Sequence, residues 1–505
     1  MQGKLRISSH WPWLLILIGW AVIHWELIIY DRLLGRDDLP LILPLLKTAS
    51  FSDYFGKLWQ GVYSDLQPVR DLTFFFNILA KEWLGYGGFH LANTVLAFLI
   101  LTRVKVLLEL RGIEKKLVWT CLLLIAFHPL YNVAFAWVSN RKHLLAVFFI
   151  LCYLVEWQKN GATNQRSLLY ILLSILSQPI TVFIPLIKEG FQFLQTKRWT
   201  PLSVVSVIVT LSLFCANYAF YKLLPIFAAR NVVESLAPNA EWVTRMARVF
   251  AQIFVPLSFA VEYDSGSYLA LVGLAIGCIY GLLFYRERIK DRPTLVLLIM
   301  VTSSLFPVLS WGPRDAYLIL FLCFSICSAI IFWGQAFRGN RGYAVLPVIF
   351  LLAFQSNRFV EMWKSDLKLY SMSYSIEGGA INQLAYAHAL RRVQPELAYR
   401  LSVDLRDKYP NGFSYQLIQL VTESYYLSTY DNVEEKLKIY RGSESLDTYH
   451  LFFKAKFLAD HGHEHEAAEV RRQLKEIIAN NKAERDILLS AVCLDYLPDC
   501  TTLGF

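Results

Sequence analysis

Residues 167–188 read Ser-Leu-Leu-Tyr-Ile-Leu-Leu-Ser-Ile-Leu-Ser-Gln-Pro-Ile-Thr-Val-Phe-Ile-Pro-Leu-Ile-Lys, and the way this run is divided decides the fold. Taken as one helix it crosses a bilayer once. Taken as two, 167–177 and 180–195, it turns back at Ser177-Gln178-Pro179, a proline and a polar pair that membrane depth tolerates only beside protein or a wet cavity. The basic residues choose between the two. Lys4 and Arg6, the group from Arg103 to Lys116, Lys159 and Arg166, Lys188 with Lys197 and Arg198, the group from Arg286 to Arg292, and Arg338 with Arg341 fall on one face only if the run is broken. That face is then the cytoplasmic one.

Working outward, apolar runs of spanning length or near it occur at 11–30, 88–110, 117–137, 143–157, 201–224, 267–285, 293–310, 316–334 and 342–355. With the broken pair they make about eleven helices. No small-residue cleavage site follows the first run, which reads as a retained span. The expected fold class is all-α: a polytopic membrane bundle over 1–355 with outer loops at 31–87 and 225–266, then a helical domain over 356–505. An odd number of crossings places the N-terminus in the cytoplasm and the 356–505 domain outside.

Composition agrees. Of 505 residues, 55% are hydrophobic and only 18% charged, against about 25% charged in a soluble globule. The net charge of +9 sits in short clusters between apolar runs. No basic face or stripe interleaved with aromatics appears, so a nucleic-acid partner is not expected. Six of the eight cysteines lie in apolar spans; Cys493 and Cys500 lie in the outer domain, where an oxidising compartment would allow them to pair.

From Asn357 the pattern becomes amphipathic helices of roughly 12–16 residues joined by polar turns. Tyr449 to Leu474 reads as two helices around Asp460-His461-Gly462-His463-Glu464. A helix pair about a glycine turn is similar to a degenerate tetratricopeptide repeat, whose members stack because neither helix buries its face alone. His461, His463 and His465 alternate, so a helix would not present them together as metal ligands, and they read as a solvated turn.

Polar residues at the edge of an apolar bundle are expensive and mark function. Under the charge-based topology four groups share the outer face: Arg36-Asp37-Asp38 with Asp31 nearby; Gln67-Pro68-Val69-Arg70-Asp71 with Phe89-His90-Leu91-Ala92-Asn93; His128-Pro129 with Ser139-Asn140-Arg141-Lys142-His143; and Gly312-Pro313-Arg314-Asp315-Ala316-Tyr317. Carboxylates beside several cations suit one task. The cations hold an anionic lipid-phosphate head group, and a carboxylate takes the proton of an incoming hydroxyl.

These residues resemble a known family. Pro68-Val69-Arg70-Asp71-Leu72-Thr73, Phe89-His90-Leu91-Ala92-Asn93, Phe127-His128-Pro129, Trp137-Val138-Ser139-Asn140-Arg141-Lys142, Val255-Pro256-Leu257-Ser258 and Arg314-Asp315-Ala316-Tyr317 are similar to segments of GT-C fold glycosyltransferases. The branch is that of the tetratricopeptide-bearing O-mannosyltransferase-like proteins and their bacterial relatives. The resemblance implies transfer of a sugar from a polyprenyl-phosphate carrier to an acceptor on the outer face. It implies Asp37 and Asp38 as the catalytic acidic pair, with Asp31 in reserve, and a divalent cation, magnesium or manganese, beside them. Arg70, Arg141, Lys142 and Arg314 would meet the donor phosphate, with His90 and Asn93 at the same site. Two positions depart from the pattern: Ala97 where a second histidine is usual, and Gln178 where a lysine is common.

Two functions follow. One is a working inverting glycosyltransferase whose tail recruits a protein acceptor. The other is a catalytically silent scaffold whose tail docks partners in an envelope assembly. The Pro-Val-Arg-Asp-Leu variant and the short tail favour a bacterial inner membrane with a periplasmic tail over an endoplasmic reticulum membrane.

Overall fold

The computed structural model describes residues 11–29, 42, 50–60, 67–223, 251–254, 256, 319–333, 345–377, 380–390, 393–408, 451–452, 454–456, 458–459 and 462–480. The chain divides into two units, Met1–Ser365 and Asp366–Phe505. Every element among the described residues is helical.

The first unit contains α1 (Trp11–Ile29), α2 (Phe51–Gln60), α3 (Pro68–Leu79), α4 (Lys81–Leu84), α5 (Gly87–Leu110), α6 (Lys115–Ala126), α7 (Pro129–Ala136), α8 (Arg141–Asn160), α9 (Gln165–Ser177), α10 (Phe183–Thr196), α11 (Pro201–Leu223), α12 (Ile319–Trp333) and α13 (Val345–Met362). Among the described residues, four stretches are long and apolar enough to cross a membrane: Trp11–Ile29, Gly87–Leu110, Val138–Asn160 and Val345–Met362. The chain is therefore an all-α, multi-pass membrane protein. The helix carrying the expected domain boundary at 355 runs on to Met362.

The expected span at 117–137 is two helices, α6 and α7, bent by 54°. The cause is local. Pro129 forces His128 out of the helical region, and His128 sits extended at φ −71° and ψ 132°. Its Nδ1 accepts the Leu130 amide at 3.2 Å, which caps the new helix, while Nε2 donates to the Ile253 carbonyl at 2.9 Å. The same rule acts at Pro179: α9 stops at Ser177, and Gln178 is extended at φ −164° and ψ 121°. A 3-10 turn over Pro179–Val182 then leads into α10.

α8 is the central post. It packs along α5 on one side and α9 on the other, and Leu144, Ile150, Leu151, Tyr153 and Leu154 are completely buried. It ends at Gly161, whose φ of 69° is a left-handed cap open to glycine. Asn164 starts α9 by accepting the Ser167 amide at 2.8 Å. α13 packs on α1 and α7, and α12 on α6.

The second unit contains α14 (Asp366–Glu377), α15 (Ala380–Leu390), α16 (Pro395–Lys408) and α17 (Glu464–Asn480). α14 packs on α15 and α15 on α16, with Leu384, Ala387 and Leu405 in the core between the last two. Gln383 Nε2 (2.8 Å) and Lys408 Nζ (2.7 Å) both donate to Asp404 and hold its carboxyl below the usual range, Lys408 being the larger cause. Ala467 and Val470 of α17 pack on Ala455 and Leu458. His463 and His465 bracket the start of α17 and are exposed. Among the described residues no group of three His, Cys, Asp or Glu side chains could hold a metal ion.

Candidate functional site

α3 is built inside out. Its inward face carries Arg70, Asp71, Phe74 and Asn77, all buried, with Gln67 buried just before its first turn. The helix forms because Pro68 fills the first position, where no amide donor is needed. Asp71 lies in the first turn, where a carboxylate suits the exposed amides. Tyr54 of α2 donates its hydroxyl to the Asp71 carbonyl. Tyr54, Phe74, Phe89 and Val138 form the apolar floor under these groups.

Arg70 is fully buried, and its guanidinium is held on two sides. Nε meets Asp71 Oδ1 at 2.6 Å and Nη1 donates to Gln67 Oε1 at 2.8 Å. Gln67 Nε2 in turn donates to Gln178 Oε1 at 3.2 Å, tying α3 to the break between α9 and α10. Among the described residues Arg70 Nη2 has no hydrogen-bond partner. A buried donor left unmade costs about 1–3 kcal/mol, more for a charged group. Two edges of the guanidinium are thus fixed by the protein, and the Nη2 edge is fixed by none of the described residues.

Arg141 is also fully buried but serves differently. At the N-terminus of α8, it donates through Nε to Asn93 Oδ1 at 2.8 Å, through Nη2 to the Phe89 carbonyl at 2.7 Å, and through Nη1 to Asn77 Oδ1. The guanidinium lies over the Phe74 ring at 4.6 Å and the Phe89 ring at 5.6 Å. Its partners are pinned in turn: Asn77 donates to the Gly88 carbonyl at 2.9 Å and Asn93 to the Trp137 carbonyl at 3.0 Å. Arg141 therefore clasps α3, α5 and α8 together. Asn77 lies seven residues after Arg70, so the two arginines bind α3 about 10 Å apart along its axis.

Of the residues expected at the site, the structure gathers Arg70 with Gln67 and Asp71, and Arg141 with Asn93 and Asn77. His90 and His143 are buried and Lys142 is half-buried. Asp31, Asp37, Asp38 and Arg314, and the cysteines Cys493 and Cys500, lie outside the described residues. At the two departures, Gln178 engages Gln67, and the Ala97 carbonyl accepts the buried Tyr131 hydroxyl at 2.6 Å.

Sequence reasoning missed three features. Asn77 was legible only as the residue two helical turns beyond Arg70. A second network joins α1, α7 and α13. In it, His24 Nε2 meets Asn132 Oδ1 at 3.0 Å, and Asn132 Nδ2 reaches the Ser356 hydroxyl at 3.2 Å. Trp20 Nε1 donates to the Ala126 carbonyl at 2.8 Å beside them. The third feature is a buried ion pair at the opposite end of α8. Lys188 Nζ contacts Glu189 Oε1 at 2.9 Å and Thr163 Oγ1 at 2.6 Å. The ammonium lies 5.4 Å from the Trp157 ring. A carboxylate inside an apolar run was its available signal.

Comparison with known proteins gives distant relatives. The chain is 23% identical over 372 residues to a protein O-mannosyl-transferase of Caenorhabditis elegans, F38B6.6, covering 66% of this chain and 52% of the relative. It is 25% identical over 273 residues to the protein O-mannosyl-transferase TMTC3 of Mus musculus, covering 47% of this chain and 29% of that protein. The chain spans about half the length of the first relative and under a third of the second. No family model matches. No solved structure matches. The similarity agrees with the resemblance to O-mannosyltransferase-like membrane proteins carried by the motifs above.

Proposed function

We propose that this chain is a membrane glycosyltransferase that moves a sugar from a polyprenyl-phosphate carrier to an acceptor hydroxyl. The acceptor is a protein, which the 356–505 domain recruits. The observation that carries the proposal is Arg70: a buried guanidinium fixed by Asp71 and Gln67, with one donor edge left for an anion. The two O-mannosyl-transferase relatives supply the group transferred, a hexosyl unit. The face is the non-cytoplasmic one, and the setting a bacterial inner membrane with the tail in the periplasm.

The chemistry is one displacement. Asp37 or Asp38 accepts the proton of the acceptor hydroxyl. The freed oxygen attacks the anomeric carbon as the bond from that carbon to the phosphate oxygen breaks. The electron pair leaves with the polyprenyl phosphate, where charge accumulates in the transition state, and Arg70 meets it with a donor already in place. Arg141 keeps α3 at the depth this requires, and Lys142 and Arg314 add positive potential for the approaching phosphate. The acidic pair is also where we assign a magnesium or manganese ion, which would withdraw charge from the phosphate.

The test is transfer of labelled mannose from a polyprenyl-phosphate donor to membrane-borne acceptors by the full chain. Asp37→Asn with Asp38→Asn keeps size and removes the base, so transfer falls about 100-fold or more. Arg70→Gln lowers it about 100-fold or more by deleting a preorganised donor. One observation favours the scaffold reading instead: position 178 offers the site a neutral amide already bonded to Gln67. Normal biological output from the acidic-pair variant, with output abolished by deleting 356–505, would establish the scaffold and end the enzyme reading.

A further inference from the structure

The outward face of α3 and α4 is as unusual as the inward one. Leu72 is 40% exposed, Phe76 62%, Leu79 60%, Trp83 85% and Leu84 50%. The Leu84 amide bonds the Ala80 carbonyl at 3.0 Å, so the helical path continues almost unbroken from α3 into α4. At 3.6 residues per turn, positions 72, 76, 79 and 83 fall within an arc of about 60°, in a stripe roughly 17 Å long. Arg70, Asp71 and Asn77 lie on the other side. A helix bordering water has the reverse arrangement, with polar residues out and apolar residues in.

We propose that α3 and α4 lie flat in the membrane interface, with Leu72, Phe76, Leu79 and Trp83 seated in the acyl chains of the surrounding leaflet. Three observations commit the stripe to lipid. The spanning helices carry the same outward residue types: Ile18 and Val22 of α1 are 55% and 69% exposed, and Phe350 and Phe354 of α13 are 74% and 66% exposed. α5 begins just beyond Gly85 and Tyr86, and its outward Leu91 and Val95 are apolar as well, 40% and 52% exposed. Lys81 folds its ammonium over the Tyr86 ring at 4.4 Å, the placement of a cation and an aromatic at the head-group level. The 17 residues from Pro68 to Leu84 carry Arg70, Asp71, Lys81 and Glu82, too much charge for a span, so lying in the plane is the geometry that covers the stripe. The expected first outer loop is then in part a membrane-bound collar, which also sets the depth of Arg70.

The assignment does not depend on catalysis. The test uses the full chain in nanodiscs of phosphatidylethanolamine and phosphatidylglycerol, with p-benzoylphenylalanine replacing Trp83, Phe76 or, as control, Glu82. Irradiation should give phospholipid adducts at 83 and 76 severalfold above those at 82. Equal adducts at all three positions, or crosslinks to protein instead of lipid, would overturn the assignment; a peptide adduct from the same sequence would identify a second copy as the occupant. If the substituted chains fail to insert, hydroxyl-radical footprinting of the unmodified chain in the same nanodiscs decides. Trp83 protected from oxidation supports the assignment, and Trp83 oxidised as readily as a water-facing tryptophan refutes it. A polyprenyl phosphate that competes away the phospholipid adducts would assign the stripe to the carrier chain and refute a bulk-lipid surface.

Discussion

Arg141→Lys separates a strut from a ligand. Lysine keeps the positive charge but replaces a planar fork with one compact ammonium. Arg141 reaches Asn93 Oδ1, Asn77 Oδ1 and the Phe89 carbonyl with three separate nitrogens. A single Nζ can retain one of these, leaving about two buried acceptors unmade at roughly 1–3 kcal/mol each. Allowing partial relaxation, the variant should lose about 2–4 kcal/mol, which at about 2 °C per kcal/mol for a large unit is 4–8 °C in apparent Tm. The assay is thermal unfolding of the purified full chain in detergent, followed by loss of monodispersity. Arg141→Met leaves all three acceptors without a donor and should fall further. Were Arg141→Lys to melt within about 1 °C of wild type while transfer collapsed, the clasp would be wrong and Arg141 would be a donor ligand.

Three further outcomes are expected. In Gly87→Ala the new methyl would land on the Ile28 backbone carbonyl where α5 starts beside α1, so folded yield by size-exclusion fluorescence should drop sharply; Gly56→Ala, with nothing within 4 Å of the added carbon, should not change it. Lys188→Met strands the buried Glu189 carboxylate and should cost about 3–5 kcal/mol, whereas Lys188→Met with Glu189→Gln should recover most of the lost melting temperature; a double variant no better than the single one would refute the pairing. A periplasmic reporter such as alkaline phosphatase fused after Phe505 should be active, and cytoplasmic activity would overturn both the orientation and the face assigned to transfer.

What the sequence determined alone rests on short-range rules. Apolar length and sparse charge identify a multi-pass all-α membrane chain, and proline with its neighbours marks the breaks: α9 stops where Ser177-Gln178-Pro179 said it would. The 117–137 run is one apolar stretch that bends by 54° at His128-Pro129, where proline carries the same signal through the residue before it. The motif residues Arg70, Asp71, Asn93 and Arg141 were also visible as charges and amides in an apolar setting. Their division of labour was not. Arg70 and Arg141 look equivalent in sequence, and each is buried. Only the tertiary structure supplies Asn77, Asn93 and the Phe89 carbonyl to one and leaves an edge of the other open, because those partners come from helices 48 to 64 residues away from Arg141. Likewise the 31–87 segment reads from sequence only as a long outer loop. The inverted faces of α3 appear only once packing decides which side of the helix meets the bundle.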